Sequence, residues 1–235
     1  MAARELKVGG IVPFSTGDFP GKLSAVLFVQ GCPWRCGYCH NPHLQPRPAH
    51  SQYRWQDIMD LLKRRVGLID AVVFSGGEAT MDAALGAAID EVRQLGFQIG
   101  LHTACIYPRQ LAAILPSLDW VGFDIKAPFD DYVSITGIAD SGIQARACAE
   151  MIIASGVAYE CRTTLHPSLL PEPSLLALAN QLLQLGVSNY VFQEFRPQGC
   201  QDAQLNQAST HGYPSSALLE QITPLFPNFS YRRSD

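Results

Sequence analysis

The 235-residue chain carries 17 basic and 21 acidic side chains, a formal charge of −4, and 47% hydrophobic against 16% charged residues. That balance supports a large apolar core in a single α/β-barrel-sized unit and supplies no basic footprint for nucleic acid. The opening Met1-Ala2-Ala3-Arg4-Glu5-Leu6-Lys7 lacks the apolar run of a secretory leader. No stretch approaches the ~18 apolar residues of a membrane span, so a cytoplasmic protein with reduced thiols is expected, free of membrane.

In chain order, the candidate strands are Ser24–Gln30, Ala71–Ser75, Phe97–His102, Trp120–Ile125, Ala158–Thr164 and Tyr190–Glu194. Most are near-continuous apolar runs, the pattern of parallel strands covered on both faces. Between them, Ile58, Leu61 and Leu62 mark one helix, and Met81, Leu85, Ala88, Ile89, Val92 and Leu95 a second. Leu175, Leu178, Leu182 and Leu185 mark another; Gly96, Gly156 and Gly186 stand at C-cap positions. Six βα units predict a parallel sheet curled into an incomplete (β/α)6 barrel of the TIM type, since a closed eight-unit barrel takes about 250 residues. The chain is read as one domain, 1–235, with a core of about 20–196 and a C-terminal extension of about 197–235. Pro197–Pro214 reads as a long loop. Sites in such folds gather at the C-terminal ends of the strands.

Of seven cysteines, three fall together directly after the first candidate strand: Gly31-Cys32-Pro33-Trp34-Arg35-Cys36-Gly37-Tyr38-Cys39-His40-Asn41-Pro42. Thiolates are soft anionic ligands suited to iron–sulfur clusters. Three of them wrap a cubane while leaving one iron without a protein ligand, the open position that metal chemistry needs. Other readings stay open at this point: a thioredoxin-like pair of Cys36 and Cys39, a c-type haem attachment at Cys36-x-x-Cys39-His40, or a zinc site completed by His40 or His43. Cys105, Cys148, Cys161 and Cys200 have no cluster spacing, and Cys148 and Cys161 read as buried core.

Three other strand ends carry polar groups. Ser75-Gly76-Gly77-Glu78 is a tight turn where glycine permits close backbone approach. Asp124 and Lys126, two apart at a strand end, share a face, as partners in a structural salt bridge or as ligands. Arg162 and Arg196 follow at the next two strand ends, and Asp18-Phe19-Pro20-Gly21 forms a turn before the first.

The Cys32-x3-Cys36-x2-Cys39 spacing, with Tyr38 before the third cysteine, resembles the signature of the radical S-adenosylmethionine (SAM) superfamily. The resemblance implies one [4Fe–4S] cluster on Cys32, Cys36 and Cys39, with SAM chelating the fourth iron and cleaved to a 5′-deoxyadenosyl radical that abstracts hydrogen. By the same resemblance, Tyr38 and His40 flank the cofactors, and Gly76, Gly77 and Glu78 contact the SAM amino group. Asp124, Ile125 and Lys126 approach SAM as in glycyl-radical activating enzymes. Arg162 is expected at the SAM carboxylate and Arg196 on the adenine side.

The segment Val8–Pro42 is similar to the anaerobic ribonucleoside-triphosphate reductase activating proteins. The implied partners are the anaerobic (class III) ribonucleotide reductase and an electron donor such as flavodoxin or ferredoxin. The alternatives are a pyruvate formate-lyase-type activase and a radical SAM enzyme with a small-molecule substrate. In one departure, His102 stands where pyruvate formate-lyase activases carry an aspartate that helps hold a monovalent cation; His102 reads as a polar core residue, and such a cation is not expected.

Overall fold

The computed structural model describes residues 5–233; residues 1–4, part of the stretch read above for a leader, lie outside the described residues. One eight-stranded sheet forms in chain order: β1 (Val8–Ser15), β2 (Ser24–Val29), β3 (Ala71–Gly76), β4 (Gln98–Thr103), β5 (Trp120–Asp124), β6 (Ala158–Leu165), β7 (Asn189–Glu194) and β8 (Asn228–Arg232). All neighbours pair in parallel except β1, which runs antiparallel to β2. The helices are α1 (Trp55–Lys63), α2 (Leu85–Gln94), α3 (Pro108–Ile114), α4 (Tyr132–Thr136), α5 (Ser141–Ser155), α6 (Glu172–Gln184), α7 (Ala203–Gln207) and α8 (Ser216–Ile222). β1 and β8 do not pair with each other, so the sheet remains an open, partial barrel.

Alternation along the strands sorts the core into two faces. Val72 and Phe74 of β3 join the large cluster between sheet and helices, whereas Ala71 and Val73 join a small inner cluster with Val26, Trp120 and Phe19. Phe19 comes from the Asp18–Gly21 turn, and its ring lies 5.4 Å from that of Trp120. The turn therefore plugs the floor of the concave face.

The six central strands fall within one or two residues of the expected bounds, and Gly96, Gly156 and Gly186 take the positive φ of helix ends. The sheet runs past the expected core at both ends. β1 escapes the strand pattern because Gly9, Gly10 and Pro13 interrupt it, and its register with β2 shifts at Val8/Gly10 and at Val12/Ser15. An edge strand tolerates both residue types, having one free side. The segment read as a loop at Pro197–Pro214 contains α7, whose N-cap Asp202 accepts from the backbone N–H groups of Gln204 and Leu205.

Candidate active site

The cysteine loop leaves the top of β2 and is pinned from three sides. On the first side, the Gly76–Gly77 turn presses flat against it. A Cβ on Gly76 would lie 2.3 Å from the Val29 carbonyl oxygen, and one on Gly77 2.5 Å from that of Gly31, so only glycine fits either position. The backbone N–H of Gly77 donates to Val29 O at 3.0 Å and that of Glu78 to Gly31 O at 2.8 Å. On the second side, Arg35 N–H donates to Thr136 O at the end of α4, and Trp34 meets Tyr132 edge-on at 5.8 Å.

The third side was not expected from the sequence. The segment after β7 folds back onto the loop: the Cys200 thiol donates to the Gly37 carbonyl at 3.4 Å, and Gly199 touches the His40 backbone so closely that a Cβ would lie 2.2 Å from its oxygen. The available signal was Gly199, set at positive φ where its backbone meets that of His40.

Cys32, Cys36 and Cys39 are partly exposed free thiols, and a cleft of about 140 Å³ opens beside Cys36 and Cys39. Burial pushes the Cys32 thiol up to about 12, a backbone N–H at Trp34 pulling it back in part, and burial raises Cys36 likewise. Both thiols keep their protons until a metal displaces them. Among the described residues, no three His, Cys, Asp or Glu groups close on one point as a single ion requires. Three thiols on one loop suit a cubane, in which each would bind a different iron.

Asp124 and Lys126 rise beside this loop. Lys126 Nζ lies 3.4 Å from Asp124 Oδ2 and 5.4 Å from the Tyr38 ring centre. Burial opposes its charge, but Tyr38, Asp124 and Cys36 outweigh that and hold Lys126 well above its usual range. The lysine side chain is 8% exposed and the aspartate 38%, so the carboxylate is the accessible member of the pair. Ile125 turns into the core; its N–H donates to Arg162 O, and its carbonyl accepts from Thr163 Oγ1.

Glu78 is fully buried, and its carboxylate is consumed within the protein. It accepts from Thr80 N–H and Oγ1, from Thr103 Oγ1 and from Ala104 N–H at 2.6–3.1 Å. It brackets the tops of β3 and β4 together, and Thr103 and Ala104 were not singled out in the sequence. His40 stands 5.9 Å from Phe195, with its Nε2 buried and without a partner; burial and Arg196 lower its pKa. Arg196 thus lies at the cysteine loop. Arg162 does not rise toward it. Its guanidinium folds down over Trp120, 5.3 Å from the ring centre.

The Radical SAM superfamily model matches residues 26–172, and the chain belongs to that superfamily, whose members use a [4Fe–4S] cluster and SAM. Its curated relatives include activating enzymes. Over 211 residues it is 30% identical to a Methanocaldococcus jannaschii protein whose name assigns it to the glycyl-radical enzyme activating enzymes, covering 85% of this chain and 84% of that one. It is 32% identical over 131 residues to the pyruvate formate-lyase-activating enzyme of Clostridium pasteurianum, 53% of this chain and 55% of that protein.

Among solved structures it resembles in fold SuiB of Streptococcus suis bound to the precursor peptide SuiA, with a TM-score of 0.66 at 13% identity, covering 88% of this chain and 48% of that one. It also resembles QueE of Escherichia coli, with a TM-score of 0.56 at 13% identity, covering 97% and 93%. The residues present fit the superfamily's cofactors: three thiols on a loop pinned by the Gly76–Gly77 turn, and an accessible carboxylate at the rim. No described helix is long and apolar enough to cross a membrane.

Proposed function

We propose that this protein is a cytoplasmic activating enzyme that abstracts a hydrogen atom from a backbone glycine of the anaerobic (class III) ribonucleotide reductase. The observation that carries the reading is the three-thiol loop, locked against Gly76–Gly77, in a chain similar over most of its length to an activating-enzyme relative. The choice of reductase rests on the likeness of Val8–Pro42 to its activating proteins. When bound, the cluster and SAM supply a reducing electron and an adenosyl radical that takes hydrogen.

The chain's own residues do the rest. Cys32, Cys36 and Cys39 bind the cluster and leave one iron for SAM. Gly76 and Gly77 seat their turn flat against the cysteine loop, where the SAM amino group would meet the turn's backbone, with Glu78 holding that turn from behind. Asp124, oriented by Lys126, would accept hydrogen bonds from SAM, while Tyr38, His40 and Arg196 would wall the cluster side. The open edge between β1 and β8 admits a segment of a macromolecule. A flavodoxin or ferredoxin supplies the electron.

Reduced holoenzyme with SAM is expected to produce a glycyl-radical doublet on the reductase by electron paramagnetic resonance, since the unpaired electron couples to the one remaining α-hydrogen. The doublet collapses toward a singlet when the reductase carries α-deuterated glycine. The Clostridium pasteurianum relative favours a second reading, pyruvate formate-lyase activation. A doublet on that lyase and none on the reductase would transfer the assignment. SAM cleavage with silence on every glycyl-radical enzyme of the host would point to a small molecule.

The SAM assignment has its own check. Asp124→Ala removes an accessible acceptor while touching none of the thiols, so SAM affinity is expected to fall roughly tenfold, the worth of one charge-assisted hydrogen bond. Iron content stays as in the parent protein. Equal SAM affinity in the variant would displace the pocket from this rim.

A further inference from the structure

Below Asp124 and Lys126 the concave face carries a second polar layer. Arg162 reaches it by bending back along its strand. Its Nη2 fills the space that a Cβ on Gly122 would take, 1.4 Å away, and Gly122 and Trp120 both precede Asp124 along β5. The guanidinium therefore sits one layer deeper than the SAM rim. Its Nε lies 3.2 Å from Glu160 Oε1, but the two carboxylate oxygens of Glu160 are held by Arg232, Nη1 to Oε1 at 2.7 Å. Nε thus keeps Glu160 as an ion-pair partner, whereas Nη2, equally buried, finds no hydrogen-bond acceptor among the described residues. Such a donor is costly to leave unmade.

His102 meets the same indole edge-on, 5.5 Å from the Trp120 ring. Its Nε2 stands 2.8 Å from the Asp18 carbonyl oxygen, which fixes the proton on Nε2. Nδ1 then presents a lone pair, with Ser75 Oγ at 3.5 Å and the Asp18 carboxylate oxygen Oδ1 at 3.9 Å beside it. Burial and the nearby Arg162 keep the ring neutral, its pKa well below the usual range.

One wall therefore offers the Nη2 N–H donor without an acceptor, and the other an acceptor nitrogen with a carboxylate beside it. A carboxylate or phosphate would satisfy Arg162 but face the His102 lone pair, and a cation would do the reverse. A peptide unit has the matching pair: its C=O accepts and its N–H donates. We infer that Arg162 and His102 form a subsite for a backbone amide, seating an extended glycine-containing peptide against the guanidinium that covers Trp120. The inference rests on the activating-enzyme reading and specifies how that enzyme would grip its substrate: by main chain.

The test uses reduced holoenzyme, SAM and a capped pentapeptide of alanines around a central α,α-dideuterated glycine. Deuterium in the 5′-deoxyadenosine product, read by mass spectrometry, reports transfer. Methylating the glycine nitrogen is expected to cut transfer at least roughly tenfold, the worth of a buried hydrogen bond. Arg162→Met and His102→Phe are expected to raise the peptide KM roughly tenfold, well beyond any change in SAM affinity.

An N-methylated peptide that works as well as its parent would overturn the subsite and leave the activating-enzyme reading standing. So would variants that lose SAM affinity in step with peptide affinity, since Arg162 would then belong to the cofactor, or inhibition of transfer by succinate, which would mark an anion site. Radical formation on the intact reductase with no transfer from the pentapeptide would also reject it. Absence of both signals, with SAM still cleaved, would reject the activating-enzyme reading itself.

Discussion

Replacing any one of Cys32, Cys36 or Cys39 with alanine is expected to take the anaerobically reconstituted protein from about four irons and four sulfides per chain to less than one, and to abolish SAM cleavage with it. The three thiols sit on one loop, and no other cysteine can substitute. Cys105, Cys148 and Cys161 are buried at or below the strand tops. Cys200 is nearer, but its thiol is engaged with the Gly37 carbonyl, so Cys200→Ala is expected to keep its iron. Two remaining thiols would leave a second iron open, and burial already raises Cys32 and Cys36 against losing their protons. Iron and sulfide analysis, with the charge-transfer absorption of the reconstituted protein, reads the outcome. A stable four-iron centre in the Cys32→Ala protein would refute the three-ligand assignment.

The central strands were legible because a parallel strand covered on both faces writes itself as an unbroken apolar run, as in Ala71–Phe74. The two edge strands wrote no such signal. β8 alternates exposed and half-buried residues, and β1 is broken by Gly9, Gly10 and Pro13. α5 was marked in the sequence only by its C-cap Gly156, because its buried stripe is built from Gly142, Ala145, Cys148, Ala149 and Ile152, mostly small, while Ile143 on the outer side is exposed.

At the site, spacing revealed which residues stand at strand ends but not which way long side chains lean. Arg162 occupies the strand position opposite Asp124, yet glycine at 122 lets it fold away from the rim. Ile125 sits between two rim residues, and the alternation of the strand sends it to the other face. Likewise, the docking of Gly199–Leu205 onto the cysteine loop joins residues more than 160 positions apart, a contact that no local pattern encodes.

Glu78→Ala is expected to destabilise the fold by roughly 3 kcal/mol, because it strands the backbone N–H of Ala104 and the hydroxyls of Thr80 and Thr103 in the buried junction between β3 and β4. For a domain of this size that is a fall of roughly 6–12 °C in Tm, readable by thermal melting of the apoprotein. The carboxylate's surroundings also set a sign for pH. Burial raises the Glu78 pKa, and the hydrogen bonds from Thr80, Thr103 and Ala104 offset this only in part. A raised folded-state value means that the folded protein binds this proton more tightly than the unfolded chain does. The contribution of Glu78 is then full below its unfolded pKa and is lost as pH rises through the folded one.

The parent and a Glu78→Gln protein should therefore converge in stability at acid pH and diverge above it in favour of the amide's fixed neutrality, less the cost of turning its NH2 toward the Ala104 N–H. SAM affinity separates a bracket from a ligand. If Glu78 only holds the Gly76–Gly77 turn, Glu78→Gln retains SAM binding within a few-fold once the protein is folded at low temperature. A complete loss of SAM binding in a well-folded, iron-replete Glu78→Gln protein would instead make the carboxylate itself a ligand, in conflict with the four hydrogen bonds that occupy it.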